Sequence, residues 1–131
     1  MPYASLRDFL RRLEDEGQLL RIKEEVRLEP DVRTIACAAT KSAAGPAILF
    51  EKLRGYPNQK IAMNVHGSWA NHALSLEMPK HTPVKAQFFE ILRRWDRYPL
   101  PPKRVSNAPV KEVILKEGFS LFRELPLFRV N

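Results

Sequence analysis

Apolar residues along the chain fall into two helical stripes in the first forty residues, three short strand-like runs, and a third stripe further on. Leu6, Phe9, Leu10 and Leu13 are spaced i, i+3, i+4, i+7, which predicts an amphipathic helix. Ser5 is an N-cap residue type, Asp8 places a carboxylate in the first turn, and Gly17 can take the left-handed conformation that ends the helix. Leu19 to Val26 reads as a strand with Leu20, Ile22 and Val26 on its covered face. Pro30 and Asp31 open a second helix with Val32, Ile35, Ala36 and Ala39 on one side. Cys37 and Ala38 widen that apolar surface, so this helix is expected to be covered on more than one side, with Cys37 a small structural hydrophobe. After the break at Gly45-Pro46, the run Ala47-Ile48-Leu49-Phe50 predicts a wholly buried strand, and Ile61 to Val65 predicts another.

In the C-terminal half a short helix is expected from Trp69 to Met78, stopped before Pro79. Pro83 starts a longer helix whose stripe is Val84, Phe88, Ile91, Leu92 and Trp95, ended by Pro99, Pro101 and Pro102. Val113 and Leu115 suggest one more strand, closed at Gly118. Helices alternating with short strands predict an α/β domain, with α+β as the alternative: a small mixed sheet and several flanking helices over residues 1–98. Residues 99–131 form a proline-rich connection and the last strand, and end in an apolar stretch from Leu121 to Val130 where a solvated terminus is usually polar.

Composition narrows the class. The 131 residues are 44% hydrophobic and 28% charged, and the longest hydrophobic run, Ile35 to Ala39, is far too short to cross a bilayer. With a single cysteine and no signal-like start, a cytoplasmic setting is the economical reading. The net charge of +7 is uneven: ten basic and nine acidic groups up to Gly55, twelve and six beyond. Much of the excess lies between Arg93 and Arg104, around Trp95 and Tyr98, where cations could track a phosphate backbone while the rings stack on bases. The same arginines equally suit the wet side of a helix or an acidic surface on another domain.

No catalytic constellation is visible. The glycines at 17, 45, 55, 67 and 118 are too dispersed for a phosphate cradle. His66, His72 and His81 lack zinc-motif spacing, and Glu112 and Glu117, an odd number apart on the expected strand, point to opposite faces. What stands out is the hydrogen-bonding segment Asn64, His66, Ser68, Trp69, Asn71 and His72 after a strand. It can line a ligand pocket, or it can be a polar turn with a helix cap built from Ser68 and Asn71.

Several stretches together carry a resemblance: Leu6-Arg7-Asp8-Phe9-Leu10, Gly45-Pro46-Ala47, Ala62-Met63-Asn64, Gly67-Ser68-Trp69, Asn71-His72-Ala73, Thr82-Pro83-Val84-Lys85, Arg93-Arg94-Trp95-Asp96 and Leu125-Pro126-Leu127-Phe128-Arg129. In this order they resemble the N-terminal region of UbiD-family decarboxylases, most closely the C subunit of phenolic acid (vanillate and 4-hydroxybenzoate) decarboxylases. The resemblance implies reversible, non-oxidative decarboxylation of aromatic acids by homo-oligomers. It implies prenylated FMN as cofactor, with a divalent metal (manganese or magnesium) and potassium holding its phosphate. It also implies that residues 99–131 lead into a flavin-binding domain, that catalytic and metal-binding residues follow the equivalent of Asn131, and that none of these groups binds this chain alone. On that basis Asn64, His66, Trp69, Asn71 and His72 are the expected substrate-channel or interdomain contacts. The alternative is a freestanding binding or assembly module using residues 93–104.

Overall fold

The fold is known from a computed structural model, which describes residues 3–42, 44–97 and 101–128. Helix α1 (Leu6–Asp15) starts where the sequence places it, with the Ser5 hydroxyl accepting from the Asp8 amide at 3.3 Å, and Gly17 follows it at φ 70°. Strand β1 (Leu19–Val26) leads through a turn at Leu28–Val32 into α2 (Arg33–Lys41), which returns the chain to β2 (Ala47–Leu53). Two parallel strands need such a crossover, and β1 and β2 pair in parallel. Strand β3 (Ile61–Met63) adds antiparallel to β2, giving the order β1-β2-β3. The sheet is therefore mixed and small, flanked by helices, as expected.

Because β2 is the central strand, its alternate side chains meet helices on both sides. Ala47 and Leu49 join Phe9, Leu10 and Leu13 of α1 in one core, and Ile48 and Phe50 join Val32 and Ala39 in the other. Helix α3 (Trp69–Ser75) adds Leu74 to the first core, and the Tyr3 hydroxyl donates to the Leu74 carbonyl at 2.6 Å. Lys80 Nζ donates to the Glu16 carbonyl at 2.9 Å, placing a cation at the carbonyl end of α1. Helix α4 (Val84–Trp95) lies beyond α3 and is followed by a single 3₁₀ turn (Pro109–Lys111) and the short α5 (Leu121–Glu124).

Five expectations are corrected. No strand forms at Val113 and Leu115; both side chains are exposed, since alternation makes a strand only where a neighbouring backbone pairs with it. Glu112 and Glu117 consequently face solvent without the strand that would set them on opposite faces. Helix α2 buries only one side, leaving Cys37 and Ala38 exposed, because a single sheet lies beneath it. Leu20, on the edge strand β1, is half exposed although Ile22 and Val26 pack into the second core. The α4 stripe does not enter the core either: the one buried side chain of that helix is Gln87, while Phe88, Leu92 and Trp95 are exposed. Tyr98, Pro99 and Leu100, and Arg129 to Asn131, belong to expectations that fall outside the described residues.

Candidate functional site

The segment after β3 is shaped by backbone closeness. Asn64 takes φ 54°, its side-chain amide donates to the Pro46 carbonyl at 2.9 Å, and the Gly67 amide closes a turn on the Asn64 carbonyl at 2.9 Å. A Cβ on Gly67 would collide with the Asn64 side chain at 2.1 Å, and one on Gly45 would meet the Gly67 carbonyl oxygen at 2.3 Å, so both positions need glycine. The turn delivers Ser68, whose hydroxyl accepts from the Asn71 amide at 3.2 Å and caps α3.

Behind this turn lies a cleft of about 430 Å³, lined by His66, Ser68, Trp69, His72, Phe88 and Ile91. Trp69 meets His72 edge-on at 5.7 Å and Phe88 at 5.9 Å between ring centres; His66 stacks on Phe9 at 5.4 Å and lies 6.5 Å from His72. Gln87 organises the wall. Its amide nitrogen donates to the carbonyls of Trp69 (3.1 Å) and Thr82 (2.8 Å), which turns its oxygen toward His72 Nδ1 at 2.8 Å. An amide oxygen accepts only, so His72 carries its proton on Nδ1, and in the neutral ring Nε2 is an acceptor.

Burial, and after it the neighbouring His72, holds the His66 imidazole below its ordinary pKa of 6.5. Since folding lowers this pKa, the unfolded chain binds the proton more readily, and stability falls as pH drops below 6.5. An NMR titration of the imidazole signals should show the His66 midpoint below 6.5; a midpoint at or above that value would contradict this packing.

The structure thus brings together His66, Trp69 and His72 of the expected set. Asn64 serves the turn, and Asn71 is fully buried in α3, its amide atoms without a hydrogen-bond partner among the described residues. Ile91 and Phe88 reach the cleft from α4, and the fully buried Gln87 lies behind them. The sequence signal for Gln87 was an uncharged polar residue inside an apolar helix. His81 is exposed, away from the pair.

Among the described residues no three His, Cys, Asp or Glu side chains stand together to hold a metal. A second, larger cleft of about 750 Å³ between α1 and the sheet is rimmed by Arg7, Arg11, Arg21 and Lys60, but Arg11 is paired with Asp8, and Arg21 with Glu14 (2.6 Å) and Glu51. The basic segment is similarly occupied at its start. Glu90 receives Arg93 and Arg94, each at 2.6 Å, and these two guanidinium groups draw its pKa down to about 2. Arg94 also donates to the Leu76 carbonyl at 2.6 Å. The site offers aromatic surface and two imidazole rings, suited to recognition and contact.

Residues 10–95 match the family described as the 3-octaprenyl-4-hydroxybenzoate carboxy-lyase N-terminal domain. The chain belongs to this UbiD N-terminal family. It is 52% identical to a phenolic acid decarboxylase of Bacillus subtilis over the whole chain, which covers 28% of that relative. Its fold is similar to the vanillic acid decarboxylase of Sedimentibacter hydroxybenzoicus in closed form, with a TM-score of 0.90 and 48% identity, covering 98% of this chain and 28% of that one. A UbiD-class enzyme, HmfF from Pelotomaculum thermopropionicum, solved with prFMN, matches with a TM-score of 0.76 at 28% identity, covering 95% of this chain and 27% of that one. This UbiD domain therefore spans little more than a quarter of the relatives it matches. Both clefts border a helix start, Gly67 to Trp69 at α3 and Ser5 to Arg7 at α1, but α3 has only seven residues and Arg11 and Arg21 at the second cleft are already held by carboxylates, and no flavin phosphate site is assigned to the described residues. No step of flavin chemistry is assigned to them. Among the described residues no helix is long and apolar enough to cross a membrane.

Proposed function

We propose that this chain is the N-terminal domain of a cytoplasmic, homo-oligomeric, prenylated-FMN-dependent decarboxylase acting reversibly and without oxidation on phenolic acids of the 4-hydroxybenzoate or vanillate type. The observation that carries this reading is identity of about one half along the entire chain with a phenolic acid decarboxylase several times its length. Residues 1–98 form the α/β domain, and residues 99–131 lead toward a flavin-binding domain. There the prenylated FMN, its divalent metal and its potassium would be held, and the cofactor would supply an electron sink for the electron pair left on the substrate when carbon dioxide departs. His66, Trp69 and His72, with Asn64 and Asn71 shaping their segment, border the substrate channel or the domain contact.

The test is to supply the full-length gene product with prenylated FMN and either 4-hydroxybenzoate or vanillate and to measure carbon dioxide release. Release by the full-length protein, and none by residues 1–131 under the same conditions, is expected. Release by residues 1–131 alone, or none from the full-length protein with any phenolic acid, would overturn the assignment. A nucleic-acid module based on residues 93–104 is less well supported, since two of its five cations are already bound to Glu90.

A further inference from the structure

Helix α4 is attached by its polar side. Gln87 is fully buried against α3 and the loop before it, and Arg94 reaches the Leu76 carbonyl while holding Glu90. The opposite side carries Phe88, Phe89, Leu92 and Trp95, 53%, 60%, 60% and 72% exposed, and Trp69 at 53% continues the patch into the cleft. Residues 88, 92 and 95 are one helical row, with Phe89 beside it. Leaving such side chains in water forgoes the burial that normally drives folding, and contiguous apolar patches of this kind mark interaction surfaces.

We propose that this face is the docking surface for the remainder of the full-length polypeptide, which covers it with apolar side chains. The inference rests on the reading of the chain as the N-terminal part of a longer enzyme. More than two-thirds of each matching relative lies outside the matched region, so a large body of the same chain is at hand to cover the patch. The charges beside the patch are of both signs, with Lys85 Nζ 5.9 Å from the Phe89 ring centre, Arg93 held by Glu90, and Asp96 and Arg97 both exposed, so it is the apolar area and not a rim of one charge that calls for a partner.

The experiment replaces Phe89 by the photo-cross-linking residue p-benzoylphenylalanine in the full-length protein. After irradiation, a product of unshifted mass whose digest joins position 89 to a peptide beyond position 131 is expected. A product of doubled mass, links confined to residues 1–131, or no link at all would overturn the proposal. In parallel, the full-length double variant Phe89→Asp with Trp95→Asp should melt about 5 °C or more below the parent, and an unchanged transition would count against the surface. Carbon dioxide release from the same preparations separates the two claims. An active enzyme without the cross-link removes the docking surface alone, and a cross-linked but inactive protein removes the enzymatic reading alone.

Discussion

Phe50→Ala is expected to destabilise the isolated domain by about 3–5 kcal/mol in urea unfolding. Phe50 is fully buried in the central strand, among Val26, Val32, Ile48 and Leu53. Removing the ring forfeits its transfer from water and leaves a void that β2, held by neighbours on both edges, cannot collapse to fill. Domains of this size are stable by only about 5–15 kcal/mol, so the variant should be partly unfolded at 37 °C. Trp95→Ala is the contrasting case: a larger side chain is removed, but from water, and in the isolated domain the change should stay within about 0.5 kcal/mol. A small loss at Phe50, or a large one at Trp95, would mean that the core lies elsewhere than in these layers.

Gln87→Leu should cost about 2–4 kcal/mol although it preserves shape and adds apolar surface. Its amide joins three groups that come from different places, the Trp69 and Thr82 carbonyls and His72 Nδ1. Leucine leaves the Thr82 carbonyl and the imidazole N–H facing an apolar group in a site closed to water, and an unmet polar group is penalised more than a made bond is rewarded. The His72 ring would also lose the contact that fixes its tautomer. Long-range proton–nitrogen NMR should show Nδ1 protonated in the parent and a mixture of tautomers in the variant. A loss below about 0.5 kcal/mol, with the tautomer unchanged, would show that Gln87 does not hold the cleft together.

Features set by neighbours in sequence were legible. The spacing from Leu6 to Leu13 and the caps at Ser5 and Ser68 are local rules, and the structure follows them. The doubly buried run from Ala47 to Phe50 was equally plain, because only a central strand needs apolar side chains on both faces. Periodicity told which side of α4 is apolar without telling what would cover it, and Phe88, Leu92 and Trp95 of that stripe are exposed. Val113 and Leu115 failed for a related reason, since a strand requires a partner that no local pattern supplies.

Within the cleft, the run from His66 to His72 was visible because its members are adjacent. Gln87 lies fifteen residues beyond His72, and only the packing of α4 on α3 joins them. Cys37 read as core because its helix is rich in small apolar residues, yet one sheet covers only one side of it.

Whether this domain is made as the leading portion of a longer enzyme is tested most directly by the intact mass of the polypeptide purified from its native cells. A single species more than three times the 15.2 kDa of these residues, beginning with this sequence, is the predicted result. A stable native polypeptide of 15.2 kDa would contradict it.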